Sequence, residues 1–370
     1  MTLVTTVTAL TVVTLTLGTG TGLRLRAAPL PSANDVAAFF GLSLVLAPLA
    51  GVVTAAATVT VRHAEVTGVA VLLAATFGGV SLLARQSSDL VQAYGRTSAS
   101  IVSVAVGSGV QALCFIALVV LQRTSLSAAL VCAIAGALAQ VLFGLTSVRS
   151  TGAATFGASR LSPRVWRLLV MRGYPTIAYG LGLLAMQRLD RLLLVALAGP
   201  AAGGIYAVAA TVAEAARITS SAVGQLLFVR TAEHGFVTAE VRRIYQIALI
   251  LQLVILGVLA VAAPSIVHLL FGSAYADAVG FLRWLLVAEF FMGTALMDSR
   301  IIMGLGRLHE VGVITIIVVA TAALLYVPLI KQFAGTGAVL GSILCYTAYS
   351  VILFGRRTLA RRTTHGEVSV

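Results

Sequence analysis

The chain has 370 residues, 59% of them hydrophobic and only 10% charged, with a mean hydropathy of +1.03, a composition outside the range of water-soluble globular domains. The formal net charge of +13 would point to nucleic acid in a soluble chain, but with so few charges overall it reads as arginines in loops at a membrane surface, and no nucleic-acid partner is expected. Cys114, Cys132 and Cys345 all fall in apolar stretches with no CxxC or Cys/His grouping, which argues against a disulfide framework and a zinc site; neither metal nor cofactor is expected.

Runs of about 20 apolar residues bounded by Arg, Gly or Pro mark membrane-spanning helices. In chain order they are 2–23, 36–61, 66–90, 98–121, 126–148, 174–198, 204–229, 244–263, 276–305, 312–330 and 335–354, eleven in all. The first, MTLVTTVTALTVVTLTLGTGTG, has no positive residue ahead of its apolar run and so is a poor signal peptide. Its threonines can bond back to the helix's own carbonyls, which suits a bilayer helix.

Numbering the loops alternately sorts the basic residues. Arg24, Arg26, Arg85, Arg96, Arg149, Arg160, Arg164, Arg167, Arg172, Arg230, Arg242, Arg243, Arg300, Arg307, Arg356, Arg357, Arg361 and Arg362 fall on one side. Arg62, Arg123 and Lys331 fall on the other. The asymmetry places the C-terminus in the cytoplasm of a cell-membrane protein and, with an odd number of spans, Met1 outside.

The longest loop, 149–173, carries five arginines and divides the chain into a five-helix lobe, 1–148, and a six-helix lobe, 174–355, with a cytoplasmic tail at 356–370. Its SPRVWRLLVMRG end is amphipathic and suits an anionic inner leaflet, with Trp166 at the interface; a plain topogenic loop is the alternative. LVQAYGRTSASIVSVAV (90–106) and IIMGLGRLHEVGVITII (301–317) align at an offset of 211, placing Gly95 and Arg96 on Gly306 and Arg307. Carried back, the offset puts the helix 174–198 before Met1. The first lobe is therefore expected to lack its first helix, through a late start or a true truncation.

The second half, with GYPTIAYGLGLLAMQRLDRLLLVALAGP, then Gly204–Tyr206 (GIY), Leu270–Tyr275 (LFGSAY) and Gly304–Arg307 (GLGR), resembles the polysaccharide biosynthesis, or oligosaccharide flippase, family of the multidrug/oligosaccharidyl-lipid/polysaccharide exporter (MOP) superfamily. The resemblance covers Arg149 to Arg357 and, more weakly, Thr19 to Val148. It implies an all-α, MATE-like fold of two pseudo-symmetric helical lobes, here with the first incomplete, enclosing a cavity that opens alternately to either side. It also implies a substrate, a polyprenyl-pyrophosphate-linked oligosaccharide moved from the inner to the outer leaflet, with other polysaccharide-assembly proteins as further partners besides membrane lipids.

Seven charges lie well inside spans: Arg188, Asp190, Arg191, Glu214, Arg217, Arg283 and Glu289. A charge facing lipid at the bilayer centre costs on the order of 3 kcal/mol or more, so all seven are expected to face protein or a wet cavity. At about 1.5 Å per residue, Asp190, Arg191 and Arg283 lie roughly 10–12 Å from the outer helix ends, Arg188 and Glu214 roughly 15 Å, and Arg217 and Glu289 roughly 20 Å. Matched depth pairs Arg188 with Glu214 and Arg217 with Glu289. Arg188 and Arg191 share one helical face, with Gln187 near and Asp190 turned elsewhere. Two guanidiniums and an amide, joined by Arg217, suit a pyrophosphate and sugar hydroxyls. Asp190, Glu214 and Glu289 are candidates for ion coupling or for pairing helices to one another. His268 reads as an interfacial anchor, and Tyr206, Tyr275, Trp284 and Tyr326 as ordinary membrane aromatics.

Three rival classes remain. A polytopic enzyme acting on the same lipid-linked sugars needs acids in sizeable outer loops, where only Glu65 and Asp277 stand, so no catalytic residue is expected. A multidrug antiporter would favour an acidic, aromatic cavity over an arginine face. A transport-incompetent scaffold of a polysaccharide-export system follows if the missing helix is indispensable.

Overall fold

The computed structural model describes residues 2–26, 31–61, 68–121, 125–149 and 163–367, and among them it is helical with no strand. The helices are α1 (Thr2–Leu15), α2 (Thr19–Arg26), α3 (Ala33–Val61), α4 (Gly68–Ala93), α5 (Thr97–Val120), α6 (Leu126–Arg149), α7 (Pro163–Gly173), α8 (Pro175–Ala198), α9 (Pro200–Ala215), α10 (Arg217–His234), α11 (Ala239–Phe271), α12 (Ala278–Gly304) and α13 (Leu308–Glu367), with a short 3-10 turn at Ser273–Tyr275. Seven of them are long and apolar enough to cross a membrane. The chain divides into two compact units, Met1–Ile177 and Ala178–Val370. Arg62, Glu65, Arg123 and Arg160, and most of the 149–173 loop, lie outside the described residues.

Differences from the eleven spans read in the sequence have local causes. The first span is two helices, because Leu17 and Gly18 both take left-handed backbone, at φ 49° and 66°, where the i→i−4 ladder cannot continue. The span at 204–229 starts at Pro200, a residue pre-set for a first helical position, and is interrupted at Ala216, whose N–H bonds back three residues to Ala213. The last two spans are two helical arms, together α13, that meet at a reversal at Ala334, with φ 45° and ψ −121°, in the 331–334 stretch that the sequence reading leaves between them. Its arms run antiparallel: Thr315 Oγ1 meets Tyr349 Oη at 2.8 Å, and Tyr326 Oη meets Ser342 Oγ at 2.9 Å. The second arm continues as helix to Glu367, into the segment read as a tail.

In the first unit, lipid offers no hydrophobic drive to bring helices together, so close packing rests on small residues. A Cβ on Gly78 would lie 2.7 Å from the Ala50 carbonyl oxygen, and one on Gly51 would lie 2.6 Å from that of Ala75, which sets α3 against α4. Gly107 and Gly136 do the same for α5 and α6, each facing the other's carbonyl oxygen, at 2.8 and 2.6 Å. Threonine hydroxyls bond to the carbonyl one turn back, as Thr58 does to Thr54 at 2.8 Å. The amphipathic α7 packs on α2 within this unit: Leu169 is fully buried in a cluster with Leu23, Phe39, Leu90 and Val148. Gly18 and Gly173 meet backbone to backbone, where a Cβ on either would sit about 2 Å from the other's carbonyl oxygen.

The second unit repeats this order with one helix more. At the offset of 211, α1 and α2 fall on α10 with the very end of α9; α11 then corresponds to α3, α12 to α4, and the two arms of α13 to α5 and α6. The turns at the end of α4 and α12 close with the same three bonds. The N–H groups of Tyr94, Gly95 and Arg96 donate to Leu90, Gln92 and Val91, and those of Leu305, Gly306 and Arg307 donate to Ile301, Met303 and Ile302. Gly95 and Gly306 take φ 73° and 82°, as a left-handed helix stop requires. Each matched residue is 211 positions from its counterpart, the offset seen in the sequence.

Candidate functional site

The polar residues of the second unit gather where α8, α9, α10, α12 and α13 meet. A helix in lipid exposes its side chains either to hydrocarbon or to its neighbours, so buried charges there must find partners. On α8, Asp190 is 3% exposed. It accepts a hydrogen bond from Tyr206 Oη on α9 at 2.6 Å, and Tyr206 Oη also meets Ser342 Oγ of α13 at 3.2 Å. Ser342 in turn joins Tyr326. Tyr206 and Tyr326 are wholly buried. They are therefore members of a polar network and not the membrane aromatics that the sequence suggested, since the partners that bury them come from other helices.

Beside this network runs a chain of alternating charges. Arg191 Nη2 lies 2.5 Å from Glu214 Oε1, the same oxygen lies 3.8 Å from Arg217 Nη1, and Arg217 forms a two-pronged pair with Glu289, its Nε donating at 2.8 Å. The fork geometry of guanidinium and carboxylate makes the last pair the best formed of the set. Gln252 of α11, 1% exposed, donates from its amide to the carbonyls of Glu289 and Phe290 at 3.1 and 3.3 Å, which holds that stretch of α12 in place.

Depth alone pairs Arg188 with Glu214, and the structure corrects this: Glu214 is taken by Arg191. Arg side chains are long enough to span a helical turn, so the azimuth around the helix decides the partner and depth does not. Among the described residues Arg188 has neither ion pair nor hydrogen bond, and its Nε is buried without a partner. Gln187 stands partly buried beside it. Arg283 faces protein or a wet cavity in the sequence reading. It is exposed next to Trp284 and donates weakly from Nε to the Ala260 carbonyl at 3.4 Å, consistent with a long stem near a helix start that carries its charge outward. His268 is exposed too, lining a groove of about 640 Å³ with Pro264 and Gly272, apart from the charged chain.

Two buried acid–arginine pairs were not singled out in the sequence. In the first unit, Asp89 of α4 meets Arg24 of α2 at 3.4 Å, and Arg24 also donates to Gln92 at 2.5 Å. In the second, Asp298 of α12 accepts from Arg357 of α13 at 2.6 Å, and the guanidinium lies 4.3 Å from the centre of the Tyr245 ring. An acid inside an apolar span was the available signal. It was masked because both arginines count equally well as loop residues.

No family model matches the chain, and no curated protein matches it. Solved structures do. An outward-facing multidrug resistance MATE family transporter of the MOP superfamily aligns with TM-score 0.70 at 14% identity, over 96% of this chain and 85% of that one. A MATE in its bent conformation aligns at 0.71 and 15%, over 98% and 86%. A MOP superfamily transporter from Pyrococcus furiosus Vc1, described as having a binding pocket of reverse polarity and a different function, aligns at 0.68 and 15%, over 96% and 85%. This protein is a multi-pass membrane protein with a MATE-like fold.

Proposed function

We propose that the chain is a transporter that carries an anionic, polyprenyl-pyrophosphate-linked oligosaccharide from the inner to the outer leaflet by alternating access. The observation that carries this reading is Arg188. Of the three arginines among the clustered charges of the second unit, Arg191 and Arg217 have carboxylates of their own, whereas Arg188 has none among the described residues. An uncompensated guanidinium within a membrane span is costly unless a ligand supplies the anion. Arg188 and Arg191 stand three residues apart on α8, about 4.5 Å along the axis, so two phosphoryl groups in series fit the pair, with Gln187 left for a hydroxyl. In this reading the protein binds and reorients, and no bond of the substrate changes.

The multidrug transporters among the structural neighbours favour a second reading, export of cationic drugs by the same fold. An unpaired arginine opposes that substrate class. The two readings separate in the native host carrying Arg188→Ala at unchanged protein level. Lipid-linked oligosaccharide is expected to accumulate on the inner leaflet while surface polysaccharide is lost, with drug susceptibility unaltered. Unchanged surface polysaccharide would overturn the flippase reading, and altered susceptibility to cationic drugs would favour the second.

A further inference from the structure

We infer that Glu214 is an internal stand-in for the substrate's anionic group, occupying Arg191 when the site is empty and moving to Arg217 when the substrate arrives; this rests on the proposed anionic substrate. Four features point to it. First, Glu214 Oε1 already lies between two guanidiniums, 2.5 Å from Arg191 and 3.8 Å from Arg217, so a shift of about 1 Å turns the second approach into a hydrogen bond. Second, Arg217 is ready to receive it: Nε and Nη2 are committed to Glu289, and Nη1 is the remaining edge, facing Glu214.

Third, Glu214 is the accessible member of the chain. Its side chain is 23% exposed, against 11% for Arg191, 10% for Arg217 and 6% for Glu289, so an incoming anion reaches the Arg191–Glu214 bond before the inner one. Fourth, Glu214 sits in the last turn of α9, one residue from Ala215 and two from the interruption at Ala216, where the helix tightens to an i→i−3 bond. A side chain at the end of a helix can reorient without opening an intact ladder on both sides.

The consequence is competition. With the site empty, Arg191 is neutralised internally, and Arg188 stays open to attract the anion. Binding of the substrate then exchanges one carboxylate for one phosphoryl group on Arg191, with Glu214 passing to Arg217. The exchange gives Arg191 one anionic partner in each state, and it limits how tightly the substrate is held.

The test measures binding of farnesyl pyrophosphate to the purified full chain in neutral detergent, comparing wild type, Arg188→Ala, Glu214→Gln and Glu214→Ala. Removing the carboxylate is expected to tighten binding about tenfold in both Glu214 variants, with Arg188→Ala binding more weakly than wild type. Wild-type binding that depends on Arg188 but is unchanged or weakened in the Glu214 variants would overturn the switch alone. Loss of the folded state in both Glu214 variants would also overturn it, because the switch requires a folded protein without the Arg191–Glu214 bond. No wild-type binding at all would remove the anionic-substrate reading beneath it.

Discussion

At the scale of single residues, buried charges in this protein fall into two kinds. Asp298 and Arg357 form an ion pair, at 1% and 6% side-chain exposure, with the guanidinium against Tyr245. Removing one member leaves the other charged and buried, so Asp298→Leu or Arg357→Met is expected to cost about 3–5 kcal/mol, whereas the double replacement costs far less. Thermal unfolding of the four proteins in detergent checks this; strictly additive losses would mean that the pair is not coupled. Arg188, by contrast, has nothing to satisfy it among the described residues. The sequence located this residue and the others of its cluster because a charge in an apolar run is conspicuous. It did not choose their partners, since Glu214 lies within an arginine's reach of both Arg188 and Arg191 when only depth is known.

At the scale of elements, α7 shows how a sequence pattern and a packing fact differ. Its amphipathicity was legible, and the leaflet surface was the expected place for its apolar face. Within its unit Leu169 and Gly173 pack on α2, whereas Leu168 and Met171 stay exposed. Gly173→Val is expected to cost about 1–3 kcal/mol by overpacking and to loosen α7. In a Trp284→Phe background Trp166 is the remaining tryptophan. Its emission is expected to shift to longer wavelength in Gly173→Val, and an unchanged spectrum would show that α7 holds by other contacts. The reversal at Ala334 was legible, since Lys331, Gln332 and Gly335 break the apolar run where the sequence reading ends one span and begins the next. The interruptions at Leu17–Gly18 and Ala216 were not, because each falls inside a stretch long enough to be read as a single span.

At the scale of the whole molecule, the excess of arginines on alternate loops predicts an orientation that can be measured. Lys331, the chain's one lysine, is exposed near the reversal of α13 and is predicted outside. A membrane-impermeant amine reagent added to intact cells is expected to modify it, with the modified peptide read by mass spectrometry. Modification only after the cells are opened would invert the topology. Apolar runs long enough for a bilayer, too few charges for water and a repeat at an offset of 211 follow from the amino-acid sequence by itself, because hydropathy and loop charge act locally along the chain. They determined a helical membrane protein built from two related halves. Only the tertiary structure decided that Glu214 belongs to Arg191, that Asp190 closes on Tyr206 and that Arg188 has no counter-charge among the described residues. Each depends on the rotation of one helix against the next, which close packing sets and hydropathy does not encode.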